Sequence, residues 1–208
     1  MAGTRQDRGG REAGVDGRRT LAGRGPLSLS GLRSCPSIET ERLLLRAHRL
    51  DDFEAYAAMW ADETVTRYIG GQPFSREMSW TRFLRYAGHW PVMGFGFWAI
   101  EEKETGRFIG EAGFHELRRE LEPAIEGTPE MGWMLVPDVH GRGYASEALS
   151  ALMEWGERRL ARQDFVCLID HGNLASIRLA QKFGFRREVD TAYHDTPLGI
   201  YRRPARRE

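Results

Sequence analysis

Apolar and polar positions repeat with recognisable periods along this chain from about residue 38 onward. Leu43-Leu44-Leu45, held between Arg42 and Arg46, is a short apolar run that predicts a buried strand. Asp51 or Asp52 supplies an N-cap, and Phe53, Tyr56, Ala57 and Trp60 recur at helical spacing. Gly70, Gly71 and Pro73 break the chain before Ser75 caps a second helix, predicted to run to about His89. Phe95 to Ile100 predicts a strand, Thr105-Gly106 a hairpin turn, and Phe108 to Phe114 the returning strand. A loop over Pro123 to Pro129 leads into a strand from Glu130 to Val136, which Pro137-Asp138 ends. Ala145, Ala148, Leu149, Leu152 and Met153 fall at i, i+3, i+4, i+7 and i+8 of a long helix. Phe165 to Ile169 is a β-rich run, Asn173 to Phe183 a helix stopped by Gly184, and Phe185 to Val189 a last strand. The order βααβββαβαβ predicts an α/β or α+β domain with helices packed on a mixed sheet.

Composition bounds this picture. A chain of 208 residues with 41% hydrophobic content suits one domain plus a tail. Thirty basic and thirty acidic side chains cancel, which removes the bulk argument for nucleic acid or an acidic membrane. Residues 1–37 carry seven arginines, three acids and eight glycines, with only Leu27, Leu29 and Leu32 to pack. That segment is expected to be disordered, and Arg202 to Glu208 to be a frayed basic end, leaving 38–201 as the domain. An RNA-binding arm is the alternative reading of the tail. Arginine supplies 28 of the 30 basic residues, so composition bias accounts for the tail at least as well. The longest apolar run, Val92 to Ile100, is nine residues with glycines inside, so no membrane partner is expected. Cys35 and Cys167 make neither a disulfide scaffold nor a thiolate zinc site, and the histidines lack ligand spacing, so no metal is expected. With no charged-then-apolar leader opening the chain, a soluble cytoplasmic protein is the expectation, its oligomeric state, homodimer included, left open.

The chemistry concentrates where the strand from Glu130 runs into His140-Gly141-Arg142-Gly143-Tyr144-Ala145 at the start of the long helix. Two glycines there allow close backbone approach, and the first amides of a helix lack partners, which together make an anion site. Taken alone, such a turn is more often plain chain punctuation than a ligand site. Nucleotide alternatives fail on spacing. No Gly-Lys-Ser/Thr is present, Ser146 stands where the dinucleotide fingerprint needs its third glycine, and Gly94 to Ala99 leads into a strand rather than a helix.

A second segment, Asn173-Leu174-Ala175-Ser176 through Gly184-Phe185, follows in order. Together the two segments resemble the GNAT superfamily of acetyl-CoA-dependent N-acetyltransferases, whose pyrophosphate loop Gln/Arg-x-x-Gly-x-Gly/Ala reads here His140-x-x-Gly143-x-Ala145. Ile38-Glu39-Thr40-Glu41-Arg42-Leu43, Gly106-Arg107-Phe108-Ile109-Gly110 and Gly143 to Ala148 are similar to the branch containing ribosomal-protein N-terminal acetyltransferases. Two positions depart from the pattern. His140 replaces Gln or Arg, and Ala180 stands where many members carry a tyrosine acid.

The resemblance implies a mostly antiparallel mixed sheet splayed at its centre. Acetyl-CoA, as co-substrate, would lie between the strand ending at Val136 and the one ending at Ile169. The backbone of Met134, Leu135 and Val136 would pair with the pantetheine arm, and His140, Gly141, Arg142, Gly143, Tyr144 and Ala145 would hold the pyrophosphate. Asn173 would cap its helix or hold a coenzyme amide.

Direct aminolysis of a thioester needs a deprotonated amine and donors for the oxyanion, while a thiol of pKa about 8.5 leaves readily. Glu130 is therefore the expected base, acting through a water, and Ser176 the expected partner of the departing sulfur. Glu147 reads as a surface or dipole-complementing residue, and His115 and His171 as structural or titrating. Tyr68, Phe74, Trp80, Phe83, Tyr86 and Trp90 read either as core or as an acceptor cage. The acceptor is a small amine or a protein N-terminus. The net charge of −7 over residues 38–201 favours a cationic one. The rival reading is an acyl-CoA-binding module that has lost catalysis.

Overall fold

A computed structural model describes residues 34–160 and 164–205. Its elements are β1 (Ile38–Glu39), β2 (Leu43–Arg46), α1 (Phe53–Trp60), α2 (Glu63–Thr66), α3 (Arg76–Met93), β3 (Phe97–Glu102), β4 (Arg107–His115), β5 (Glu130–Leu135), α4 (Tyr144–Arg159), β6 (Phe165–Asp170), α5 (Leu174–Lys182), β7 (Arg186–Tyr193) and β8 (Thr196–Arg203). One eight-stranded sheet in the order β1-β2-β3-β4-β5-β6-β8-β7 carries the helices. Every junction is antiparallel except β5–β6. The expected mixed α/β architecture is observed.

Both faces of the sheet are covered, and the period-two alternation of β3 shows how. Trp98 and Ile100 join Phe114, Leu149 and Leu152 in the core under α4, while Phe97 and Ala99 join Tyr56, Trp60, Phe83 and Tyr86 under α1 and α3. The aromatic series between 68 and 90 therefore divides. Phe83, Tyr86 and Trp90 are buried core, whereas Trp80 remains partly exposed.

Several boundaries move. The expected disordered tail lies outside the described residues as far as 33. From Ser34 the chain is placed, Pro36 O accepting from Trp98 Nε1 at 2.7 Å and Cys35 packing on the core. Helix α3 continues through Pro91 and closes on Gly94, which is left-handed and donates to Trp90 O at 2.9 Å. Asp52 precedes α1 without capping it. Its carboxylate accepts from both Arg46 Nη atoms and from Arg49 N, each at 2.7 Å. Strand β8 is the largest addition. It turns back from β7 through His194 and Asp195, both at positive φ, a two-residue hairpin usually signalled by Asn-Gly. Arg202 and Arg203, expected to fray, end that strand paired with Val166 and Phe165 of β6.

The β5–β6 junction creates the opening in the sheet. The two strands share a single pair, Glu130 with Val166, and then separate. Each is held on its other side, β5 by six pairs to β4 and β6 by six pairs to β8. The result is a wedge-shaped gap opening toward the carboxyl ends of both strands. Gly110 lets β4 hold β5 at the gap's edge. Its φ is +155°, and a Cβ there would meet Met134 O at 2.2 Å.

Candidate active site

On one side of the gap the site is made of main chain. After β5, Val136 donates to Ile109 O at 2.9 Å, and the chain turns through a short 3-10 segment, Pro137–Val139. Gly141 and Gly143 then adopt φ of +74° and +83°, the left-handed region that glycine enters without strain. Within this reversal Arg142 N donates to Val139 O at 3.4 Å, and α4 begins afresh at Tyr144. Glu147 is the residue that closes the first bond, to Gly143 O at 3.1 Å. The N–H groups of Tyr144, Ala145 and Ser146 are left for an external acceptor, at the positive end of a 16-residue helix. A Cβ at Gly141 would meet no atom within 4 Å, so the cradle stands open.

The turn is fastened from two directions. His140 Nε2 donates to Leu135 O at 2.9 Å, tying the loop back to the strand it left. Glu147 Oε1 accepts from Thr40 Oγ1 at 2.6 Å and Arg42 N at 2.8 Å, and Oε2 accepts from Arg42 Nε at 2.7 Å. Arg42 Nη1 also donates to Arg142 O at 3.0 Å, so the β1–β2 connection straps the loop. Tyr144 lies under the Arg42 guanidinium at 4.3 Å and donates its hydroxyl to Glu102. These contacts leave a cavity of about 510 Å³ bordered by Trp133, Met134, Leu135, His140, Gly141, Gly143, Tyr144, Ala145, Asn173 and Ser176.

The other side is made of side chains. A second cavity of about 400 Å³ is lined by Tyr68, Phe74, Arg82, Tyr86, His115, Arg119, Glu130, Asp170, Tyr193 and Leu198, with Asn173 and Ser176 at its rim. Tyr68, Ile69, Trp133, Met134, Asn173 and Ser176 border both cavities, so the two meet at the gap. Asn173 Oδ1 accepts from Ser176 N at 3.1 Å, which caps α5 and fixes where Ser176 stands.

Glu130 opens β5 and is 6% exposed. Arg119 donates to it twice, Nε to Oε2 at 2.6 Å and Nη2 to Oε1 at 3.0 Å. His115, its cross-strand partner, places Nε2 3.0 Å from Oε1, an ion-pair contact, although neither ring nitrogen meets hydrogen-bond geometry with any described residue. Burial alone pushes the Glu130 carboxyl up. The neighbouring His115 and Arg119 side chains outweigh it and hold the group at about 2. A carboxylate so stabilised is a reluctant proton acceptor, a constraint on the base role that its position suggests.

Of the residues singled out in sequence, Met134, Leu135, His140, Gly141, Gly143, Tyr144, Ala145, Asn173, Ser176 and Glu130 border the paired cavities. Val136 and Arg142 are exceptions. The Val136 amide faces β4, and the Arg142 side chain donates to Tyr144 Oη at 3.2 Å while its carbonyl accepts from Arg42 Nη1 at 3.0 Å. His171 is exposed beside Asp190, and Ala180 is buried in the core under α4. Glu147 is a structural anchor rather than a dipole complement alone. Arg82, Arg119, Tyr193 and Leu198 are not legible in sequence as site residues, since they come from separate segments with no shared motif. Among the described residues no group of three or more His, Cys, Asp or Glu could hold a metal ion, and no helix is long and apolar enough to cross a membrane.

Residues 42–186 match the model of the acetyltransferase (GNAT) domain family. The chain is 32% identical over 154 residues to the uncharacterized N-acetyltransferase YoaA of Bacillus subtilis, covering 74% of this chain and 84% of that protein. A structure from Bordetella pertussis assigned to the GNAT-family acetyltransferases superposes with a TM-score of 0.72 at 32% identity, over 81% of this chain and 99% of that one. A ribosomal L7/L12 alpha-N-protein acetyltransferase in complex with coenzyme A shares the fold, with a TM-score of 0.65 at 19% identity over 82% and 98% of the two chains. The splayed β5–β6 gap, the amide-lined turn and these matches together place this chain in the GNAT acetyltransferase family.

Proposed function

We propose that this protein transfers an acetyl group from acetyl-CoA to a primary amine by direct attack within a ternary complex. The observation that carries the reading is that an amide-lined cavity and a side-chain-lined cavity meet between the splayed strands, with Ser176 and Asn173 bordering both. Acetyl-CoA supplies an activated acyl group with a fair leaving thiol. The first-turn amides of α4 and the turn over Gly141 and Gly143 fit its pyrophosphate, and the open edge of β5 around Met134 and Leu135 fits the pantetheine arm as an added strand. The acceptor enters from the cavity of Glu130 and His115.

The geometry suggests two roles. Ser176 stands where the thiolate departs and donates a proton or a hydrogen bond to it, a task the buried Ala180 has no group to perform. Glu130, held ionised by Arg119, supplies charge beside the His115 imidazole, whose Nε2 lies 3.0 Å from its Oε1. The pair works as a unit, the amine shedding its proton through water to the imidazole and the carboxylate stabilising the imidazolium.

Whether the amine belongs to a small molecule or to a protein N-terminus is decided by an acetyl-CoA-consumption screen across both classes with the full chain. Acetylation of at least one amine, slowed in Glu130→Gln and Ser176→Ala, is the expected result. Tight acetyl-CoA binding with no acetylation of any amine would replace this reading with an acyl-CoA-binding module.

A further inference from the structure

Arg82 stands apart from the other buried arginines. Arg46 is gripped by Asp52 and Glu101 at 2.7 and 2.6 Å, and Arg119 by Glu130 at 2.6 Å. Arg82 lines the acceptor cavity from α3 with no carboxylate at ion-pair distance among the described residues. Its guanidinium lies over Trp60 at 4.0 Å, with the Phe74 and Tyr86 rings at 5.6 and 5.1 Å, an aromatic platform that fixes its plane. One hydrogen bond is made, from Nη2 to Tyr86 Oη at 2.8 Å, and the buried Nε has no acceptor at all. Glu111, the acid whose charge reaches it, is already engaged by His48 at 3.0 Å and Trp60 Nε1 at 3.3 Å.

A guanidinium keeps its charge in any protein, and taking one out of water without a counter-ion is costly. The wall of the cavity thus holds a fixed, half-satisfied cation whose remaining donors need a planar anion. Arg119 adds a second guanidinium nearby, but its charge is matched by Glu130. Asp170, the other carboxylate on the lining, accepts from Gly172 N at 2.7 Å and makes no ion pair with Arg82. Arg82 therefore stands as a local cation whose field, unscreened by water, outweighs the domain's distant net charge.

We propose that the acceptor amine carries a carboxylate, and that Arg82, with the Tyr86 hydroxyl, receives it at the end of the cavity away from the thioester. This deepens the acetyl-transfer reading and rests on it for its kinetic arm. The donor fork of arginine matches a carboxylate, and the aromatic platform removes most of the ordering cost of binding it.

The test uses the full chain, acetyl-CoA and matched acceptors: a panel of L-amino acids, their carboxamides, and the corresponding decarboxylated amines. The carboxylate series is expected to show a kcat/KM roughly tenfold to a hundredfold higher, the size of hydrogen bonds to a charged group. Arg82→Gln should erase that preference through KM, with kcat nearly unchanged, and Arg82→Lys should restore part of it. Equal use of carboxamides and amino acids, or an unchanged preference in Arg82→Gln, overturns the proposal while leaving acetyl transfer intact. A second arm needs no turnover. N-acetyl-L-amino acids titrated in the presence of coenzyme A should quench or shift Trp fluorescence in the parent and not in Arg82→Gln. If no amine is acetylated, the transfer reading falls, and Arg82-dependent binding in this arm still decides for or against the anion site.

Discussion

The two halves of the gap are built on opposite principles. The α4 side uses backbone amides from one continuous stretch, Leu135 to Glu147, held in shape by two left-handed glycines and a strap from Thr40 and Arg42. The acceptor side uses side chains gathered from α3, β4, the loop carrying Arg119, β5 and the β7–β8 hairpin. A backbone site tolerates a changed side chain, as His140 shows by fastening the loop where the family has Gln or Arg. It does not tolerate a changed main-chain path. A side-chain site inverts that rule, so substitutions on the two sides should fail in different ways.

The largest failure should come where the backbone path is set. Gly110→Ala puts a Cβ at 2.2 Å from Met134 O and 2.8 Å from Leu135 Cα, both main-chain atoms, at a φ of +155°. Strain and displacement together should cost about 3 kcal/mol or more. Urea unfolding should show that loss, with acetyl-CoA affinity falling alongside it. Parental stability in this variant would mean that β4 does not set the edge of the gap.

Next comes the ion cluster of the acceptor side. Glu130→Gln leaves Arg119 and His115 buried beside a neutral group that still accepts hydrogen bonds, so the loss should be about 3 kcal/mol, the low end for a broken buried pair. The direction of the shift sets the pH dependence. The carboxyl falls from 4.5 to about 2 on folding, so its stabilisation is complete above about pH 5 and disappears as pH drops toward 2. That contribution, on the order of 3 kcal/mol, should vanish from the acid-unfolding curve of Glu130→Gln. An acid limb identical to the parent's would show that Glu130 is not ion-paired in solution.

The same division explains what the sequence discloses. Strand and helix periods report which face is buried, and Gly141-x-Gly143 reports a backbone that must reverse, so the α4 side is legible from adjacent residues. Arg82 and Arg119 report nothing locally. They read as solvated charges on a helix and a loop until the fold brings Trp60, Phe74 and Glu130 against them. Strand β8 escapes for a related reason, since His194-Asp195 performs a turn without the glycine that usually marks it. The second helix, expected to run to about His89, runs on through Pro91 to Met93, and Trp90 and Met93 pack on the core.

Gly141→Val isolates the coenzyme half. The new side chain enters open space, so the stability loss should be about 1 kcal/mol, from the left-handed φ of +74°. The branched group would nonetheless stand in the cradle, and acetyl-CoA Kd should rise about tenfold or more by calorimetry. The acceptor KM should stay unchanged, which distinguishes this variant from any on the Arg82 side. A parallel rise in both constants would mean that the cavities form one indivisible site.

Ser176→Ala should have the smallest effect, and it tests the place where the two halves touch. Ser176 borders both cavities, and its helix position is set by its amide, which donates to Asn173 Oδ1 at 3.1 Å, while no hydrogen bond from its hydroxyl is found among the described residues. Removing the hydroxyl therefore leaves the α5 cap, the fold and both binding surfaces as they were. What is lost is a donor to a sulfur that already leaves as a tolerable thiolate, so kcat should fall only about tenfold, less than the roughly hundredfold or more that a positioned acid usually contributes. Because the lost step concerns the leaving group, the deficit should shrink with an acyl donor whose thiol is more acidic than coenzyme A. A deficit that persists with such a donor would assign Ser176 to holding the coenzyme instead. An unchanged kcat would leave water to protonate the sulfur.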